Sequence, residues 1–256
     1  MKKFNKVIAL VLAVLFVAAS FAACSSNSGK DGKGTTEAAK TQKVKVIDIA
    51  LSDEEYAFGV DKKQPELKEK ANAFIKELKK SGKLDEICNH YFGSGEPAGV
   101  TSAAEDSAKD QLVVATNAEF EPFEYKKGDT FYGIDMEIAK ALADSLGKEL
   151  VIKDMKFEAV VTSVQQQKCD IAMAGLTVNE TRAKQVDFTD SYYSASQKVV
   201  VKGDDTTFDA CKIKEDVEKI LNGLDSSVKI GGQNGTTGQS YVQGSEDMGF
   251  AGLKAQ

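Results

Sequence analysis

Hydrophobic and polar residues alternate in two rhythms along the chain after residue 43. Runs rich in β-branched residues predict strands, and apolar residues repeated every three or four positions predict helices. Strands are predicted over residues 44–51, 56–60, 112–116, 150–153, 170–174, 197–202 and 228–231. Helices are predicted from Pro65 to Ser81, from Leu84 to a stop at Gly93, over 134–146, 157–167 and 213–221, and after a tight turn at 235–238.

Strands that alternate with helices are typical of the α/β class and predict a parallel sheet covered on both faces. The pattern breaks near residues 191–196, and the residues after this break predict a second, smaller α/β lobe. Residues 94–110 are small and polar, so we expect a linker there. Ligands of such folds bind where strands end at their carboxyl side, so residues in those positions are the first candidates for a site.

The first 43 residues carry a different signal. Lys2, Lys3 and Lys6 precede an apolar run over 7–19 and the small pair Ala22 and Ala23, which is typical of a secretory signal peptide ending at residue 23. The run is short for a membrane span. Residues 21–24 (FAAC) resemble a bacterial lipobox, so Cys24 is predicted to carry lipid, with 24–43 as a flexible tether. A plain signal peptide with an incidental cysteine is the alternative.

Composition excludes several function classes. Without the first 23 residues and their three lysines, 30 bases face 39 acids, a net charge of −9. This acidic balance argues against a nucleic-acid partner. The chain has one His, His90, and no Trp. A His-dependent triad and a metal site with two or more His are therefore not expected. No cofactor is expected either.

The cysteines of the body leave two interpretations open. Cys88, Cys169 and Cys211 are an odd set without a CxxC motif, which argues against a metal site. An exported protein could form one disulfide from them. Three buried thiols are the preferred interpretation.

The most informative candidate is Arg182, because it is the only arginine among 33 basic residues. Arginine makes a planar two-bond grip on a carboxylate or phosphate that lysine makes poorly. A chance surface position or an ion pair with Glu180 or Asp187 is an equally good interpretation of its spacing. Phe120 and Phe157 could be site or core residues, and Thr177 and Thr237 could bind an anion or cap a helix.

Four segments in order resemble the solute-binding proteins of ABC importers for polar amino acids, a family with a two-lobed, type II periplasmic-binding-protein fold and a hinge. They are residues 115–125 (ATNAEFEPFEY), 133–142 (GIDMEIAKAL), 169–193 (CDIAMAGLTVNETRAKQVDFTDSYY) and 229–238 (KIGGQNGTTG). The resemblance implies that the chain captures a free amino acid between two lobes and delivers it to a membrane permease.

Residue roles are also implied by this resemblance. It implies that Arg182 grips the ligand α-carboxylate, that the Thr237 backbone N–H meets the same group, and that Gly175 and Thr177 bind the ligand through backbone and hydroxyl groups. Phe120 and Phe157 are the implied aromatic pair around the ligand side chain.

The position that reads the side chain usually holds an acid in this family, but here it holds Asn117. A preference for cationic amino acids is therefore in doubt, although Glu119 could replace the missing charge.

Two departures from the family pattern change the expected architecture. Residues 44–93 resemble the family's C-terminal end yet precede the first strand, which predicts a circular permutation. Lobe 1 is expected over 55–93 and 111–196, joined by linker 94–110, and a partial lobe 2 over 44–54 and 197–256. The strand whose acid usually holds the ligand ammonium has no counterpart before Gln256, so the second lobe is expected to be incomplete or the sequence a fragment.

The expected partners are an amino acid ligand, an ABC permease and, through the lipid, the outer face of the cytoplasmic membrane, with the protein as a monomer. A soluble periplasmic location is the alternative to the lipid anchor. An exported prephenate-type (cyclohexadienyl) dehydratase with Glu119 as general acid or base, and a ligand-sensing receptor subunit, are the competing functions.

Overall fold

The computed structural model describes residues 44–255. The predicted signal peptide over 1–23, the lipid site Cys24 and the tether over 24–43 lie outside the described residues. The strands are β1 (Val44–Val46), β2 (Glu54–Tyr56), β3 (Gly59–Val60), β4 (Gln111–Thr116), β5 (Glu119–Phe120), β6 (Glu124–Lys127), β7 (Thr130–Tyr132), β8 (Glu149–Asp154), β9 (Ile171–Ala172), β10 (Asp187–Phe188), β11 (Tyr193–Ala195) and β12 (Val200–Lys202). The helices are α1 (Pro65–Ser81), α2 (Lys83–Phe92), α3 (Ile134–Ser145), α4 (Phe157–Gln165), α5 (Glu180–Ala183), α6 (Lys214–Gly223) and α7 (Thr237–Gln243).

A five-stranded sheet with the order β10-β3-β9-β4-β8 forms the centre of the larger part of the molecule. Strand β4 runs parallel to both β8 and β9, as the alternation of strands and helices predicts. Strands β3 and β10 are antiparallel to their neighbours, so the sheet is mixed and the predicted parallel arrangement holds for β4, β8 and β9. A helical crossover is what makes neighbouring strands parallel, and β3 enters from a segment that precedes α1 instead.

Helices cover both faces of this sheet. On one face, α1, α2 and α3 pack against alternate residues of β4 and β8, including Leu112, Val114 and Ile152. On the other face, α4 packs on Ala115 and Ala172. Strand β4 is apolar on both sides because it lies in the middle of the sheet.

Helix α1 shows how local sequence sets these elements. It begins at Pro65, where proline is tolerated, and ends at Gly82, whose φ of +78° suits a glycine. Between them Leu67, Ala71 and Leu78 are buried, as their spacing predicts.

A third apolar cluster is separate from these two. It brings Ile47 and Leu51 together with Val217, Leu221 and Tyr241 of the last two helices. The only sheet here among the described residues is the antiparallel pair β1-β12. The strand predicted over 228–231 does not form, because that segment has no hydrogen-bonded strand neighbour in the described part of the chain.

Several strands differ from prediction in extent. The strand expected over 44–51 ends at Val46, and the one expected over 56–60 is two strands, β2 and β3. Strand β2 pairs with β11, which connects the sheet region to the third cluster. Strands β5, β6 and β7 form an antiparallel sheet that the pattern of residues did not predict. Within residues 44–255, no helix combines the length and apolar character that crossing a membrane requires.

Candidate functional site

A cavity of about 900 Å³ lies between the five-stranded sheet and the third cluster. Six of the seven predicted binding residues line it: Phe120, Phe157, Gly175, Thr177, Arg182 and Thr237. They come from the ends of strands and the starts of helices that are far apart in sequence. The fold therefore brings together residues that the sequence analysis could identify only as separate candidates.

Arg182 lies on α5 and is only 8% exposed. Its Nη1 donates to the carbonyl of Thr177 at 2.7 Å, and its Nη2 donates to the carbonyl of Gly235 at 3.0 Å. A guanidinium carries five N–H groups, so three have no partner among residues 44–255. Burial lowers the pKa of Arg182, and the negative charge of Glu54 opposes that shift. The result is an oriented cation with unused donors at a cavity wall.

The Arg182 side chain also contacts an aromatic ring. Its guanidinium carbon lies 5.3 Å from the centre of the Phe157 ring, within the range of a cation–π interaction. Phe157 is the first residue of α4, which places the ring at the strand-end side of the sheet. The alternatives of a surface position and an ion pair for Arg182 do not fit, because it is buried and no carboxylate lies within 4.0 Å of it in the described chain.

Thr177 connects the two sides of the cavity through its hydroxyl group. This hydroxyl donates to Oε2 of Glu54 at 2.6 Å and accepts from the Thr237 hydroxyl at 3.0 Å. Glu54 is 3% exposed, and its other oxygen accepts from Ser52 at 2.5 Å and from the Gln197 side chain at 2.9 Å. A buried carboxylate thus lies directly behind the threonine pair.

Two features of the backbone at Gly175 disfavour a side chain at this position. Its φ is +52°, and a Cβ built there would lie 3.0 Å from the Phe120 ring. Phe120 is 40% exposed and stacks on Phe123, with ring centres 5.5 Å apart. The glycine therefore lets the exposed ring lie close against the backbone at the end of β9.

Asn117 is buried and is not among the residues that line the cavity. Its Nδ2 donates to the carbonyl of Met155 at 2.9 Å, and its Oδ1 accepts from the side chain of Gln233 at 2.7 Å. Gln233 does line the cavity, so Asn117 acts on it through this amide partner. Glu119 is exposed and does not line the cavity.

Two buried carboxyl groups lie beneath this site. Asp135 accepts from the backbone N–H of Gly175 at 2.9 Å and from the Tyr192 hydroxyl at 2.5 Å. Burial raises the pKa of Asp135 to about 7. Glu124 is fully buried with no hydrogen-bond partner for either oxygen among the described residues, and burial raises its pKa well above the usual value, with the Asp135 charge adding to the shift.

The three cysteines and His90 do not line the cavity. Cys88, Cys169 and Cys211 are free thiols, but only Cys169 is fully buried, so the expectation of three buried thiols is wrong for the half-buried Cys88 and Cys211. Burial raises the pKa of Cys88 to about 11. His90 pairs with Glu137 at 2.8 Å between α2 and α3, away from the cavity. Within residues 44–255, no group of three or more His, Cys, Asp or Glu side chains is placed to hold a metal ion.

Sequence reasoning missed Glu54, Gln197 and Gln233. For Glu54 a signal existed, because Glu54 and Tyr56 are two apart in an extended segment and so share a face. For the two glutamines none existed, since their role depends on contacts between segments more than 100 residues apart.

The sequence model of the family described as bacterial extracellular solute-binding proteins, family 3, matches residues 112–243, which is 132 of the 256 residues. The chain belongs to this family. The matched region runs from β4 to the end of α7 and includes the seven predicted binding residues.

Individual relatives match over shorter stretches. The arginine-binding extracellular protein ArtP of Bacillus subtilis (strain 168) is 41% identical over 106 residues, 41% of this chain and 42% of that protein. Cyclohexadienyl dehydratase of Pseudomonas aeruginosa is 30% identical over 102 residues, 37% of this chain and 38% of the enzyme. The crystal structure of the ancestral amino acid-binding protein AncCDT-1, a precursor of cyclohexadienyl dehydratase, is 30% identical and covers 68% of this chain and 64% of its own, with a TM-score of 0.47. The chain spans less than two thirds of the length of each of them.

Proposed function

We propose that this family 3 chain captures a free amino acid in the cavity and delivers it to an ABC importer. The observation that carries the proposal is Arg182, a buried cation held by two carbonyls with three unused N–H donors at the cavity wall. Such a group suits the planar α-carboxylate that every free amino acid carries.

The other residues have proposed roles around that carboxylate. Arg182 and the backbone N–H of Thr237 bind it, and Gly175 and Thr177 contact the ligand through backbone and hydroxyl groups. The rings of Phe120 and Phe157 cover the ligand side chain. Glu54 lies behind Thr177 and places a negative charge near the end of the cavity where the ligand ammonium would bind.

We propose the lobe boundaries that the sequence suggests. Lobe 1 comprises 55–93 and 111–196, and lobe 2 comprises 44–54 and 197–256, with β2 and β11 as the hinge between them. The packing of α1 and α2 on α3 supports placing 44–93 in the position of the family's C-terminal end, as a permutation requires. Closure about the hinge would bury the ligand, and the closed form would dock on the permease.

Export and anchoring are part of the same proposal. Membership of an extracellular family supports removal of the leader over 1–23, and the proposed lipid on Cys24 would hold the protein at the outer face of the membrane. Lipid-modified protein would partition into detergent, whereas a Cys24→Ser variant would appear in the aqueous phase.

Capture without chemistry fits the cavity better than a dehydratase reaction. The candidate acid or base for such a reaction, Glu119, is exposed and does not line the cavity. Product formed from a prephenate-like acid by the purified protein would overturn this part of the proposal.

The first test is a thermal-shift screen of the purified protein against the common amino acids. A ligand at about 100 times its Kd stabilises a protein by roughly 2.7 kcal/mol. For a chain of this size that raises Tm by roughly 5–10 °C. A selective rise supports the proposal, whereas a cooperative melt that no amino acid shifts contradicts it.

A Gly175→Ala substitution is expected to weaken ligand binding as well as stability. The left-handed backbone conformation costs roughly 1–2 kcal/mol with a Cβ present, and this Cβ also meets the Phe120 ring. Gly128→Ala is the matched control, because its φ is +61° and nothing lies within 4 Å of its Cβ. Denaturant unfolding should show a loss of stability for both variants, and titration calorimetry should show weaker binding for Gly175→Ala alone. Equal ligand affinity of the two would argue against a role for the Phe120 contact.

A further inference from the structure

The charged side chains that line the cavity are mostly positive. Arg182, Lys198, Lys202 and Lys229 line it, and Asp205 is the one carboxylate that does so among the described residues. The Asp205 carboxylate is already engaged, because it accepts from the backbone N–H of Thr207 at 2.8 Å and is influenced by the charges of Lys45 and Lys202. The one carboxylate that a cationic side chain would meet in this cavity therefore already accepts a backbone N–H and lies near two lysines.

The buried Glu54 does not change this conclusion. Its two oxygens accept hydrogen bonds from Ser52, Thr177 and Gln197, and it does not line the cavity itself. Glu54 also lies close enough to Arg182 for its negative charge to raise the pKa of the guanidinium. Glu54 thus belongs to the end of the cavity that binds the common part of an amino acid.

Gln233 offers a neutral polar surface instead. One N–H of its side chain is held by Asn117 Oδ1 at 2.7 Å, and Asn117 is in turn fixed by the Met155 carbonyl at 2.9 Å. The second N–H and the side-chain carbonyl oxygen of Gln233 have no partner among residues 44–255. An oriented amide that offers one donor and one acceptor is complementary to another amide.

We propose that the amino acid this chain takes has a neutral carboxamide side chain, recognised by Gln233 with Asn117 as its positioning residue. This inference rests on the proposed function and names its ligand class. A cationic side chain would share the cavity with three lysines and with one carboxylate, Asp205, which already accepts a backbone N–H. An anionic side chain would face the side-chain carbonyl oxygen of Gln233, an acceptor that offers it no hydrogen bond.

The test is titration calorimetry of the purified protein with L-glutamine, L-asparagine, L-arginine, L-lysine and L-glutamate. We expect an amide ligand to bind at least about 10-fold more tightly than the charged ones, since 1.4 kcal/mol of desolvation or mispairing is a factor of ten. Asn117→Asp should shift the ratio of amide to arginine affinity by at least about 10-fold toward arginine. Asn222→Asp is the matched control, because this exposed residue of α6 gains the same charge outside the cavity.

The outcomes separate the two proposals. Tighter binding of arginine, lysine or glutamate to the wild-type protein, or equal ratios for Asn117→Asp and Asn222→Asp, overturns the carboxamide assignment and leaves amino acid capture standing. No binding of any amino acid overturns both. Amide preference with a selective change in Asn117→Asp supports both.

Discussion

Replacing Arg182 by alanine should weaken ligand binding by about 10- to 100-fold, since a hydrogen bond to a charged group contributes about 1.5–3 kcal/mol and 1.4 kcal/mol is one factor of ten. The reason is geometric. The guanidinium is buried at the cavity wall, and two of its N–H groups are held by the carbonyls of Thr177 and Gly235. The variant leaves the ligand carboxylate without its cation.

Arg182→Lys should fall between the wild-type protein and Arg182→Ala. Lysine keeps the charge but cannot hold both carbonyls while presenting a planar pair of donors. Affinity is measured by calorimetry with the amino acid that gives the largest rise in Tm, and a thermal melt of each variant checks that it folds. Lys184→Ala is the matched control, since Lys184 is an exposed cation two residues away. Equal affinities of Arg182→Ala and Lys184→Ala would remove Arg182 from the proposed site.

The regular elements of the larger part of the fold could be predicted because each has a local cause. Helix α1 has proline at its start, glycine at its end and one buried face, and β4 is a short, mostly apolar segment in which three of six residues are β-branched. The sheet β5-β6-β7 and the division into β2 and β3 have no such local cause. Their pairing depends on neighbours that the rest of the fold supplies.

The site shows the same division between local and long-range causes. Arg182 could be nominated because a single arginine stands out among lysines, and Gly175 because it comes directly after a strand. The contact of Asn117 with Gln233 and the burial of Glu54 arise only when β4, β2 and the segment before α7 meet at the cavity. The strand predicted over 228–231 does not form for the opposite reason. Its residues have the pattern of a strand, but no neighbouring strand in the described part of the chain pairs with them.

The carboxyl groups beneath the site make the stability of the protein depend on pH. The pKa of Asp135 is raised by burial from an ordinary 3.8 to about 7, so the folded state holds a proton that the unfolded chain releases above pH 4. A group that binds its proton more tightly in the folded state than in the unfolded state stabilises the fold at low pH. That stabilisation is lost as pH rises. Between pH 4 and pH 7 the free energy of unfolding should fall by on the order of 4 kcal/mol through Asp135, at 1.36 kcal/mol per pKa unit. Exposed acids whose pKa is lowered by a lysine contact, such as Glu86 and Glu149, act in the opposite direction, because the stability they contribute is lost as pH falls.

Glu124→Gln should remove the part of the pH-dependent loss of stability that is due to Glu124, whose carboxyl group has no hydrogen-bond partner among the described residues. Glutamine has nearly the same shape and no proton to lose, so the variant should match the wild-type protein near pH 4 and exceed its free energy of unfolding at pH 8, with a difference that grows as pH rises. Denaturant unfolding across this range gives the measurement, with Glu69→Gln on the exposed face of α1 as the control. A variant whose pH profile runs parallel to that of the wild-type protein would mean that Glu124 keeps an ordinary pKa, and its charge would then need a partner that the buried position does not provide.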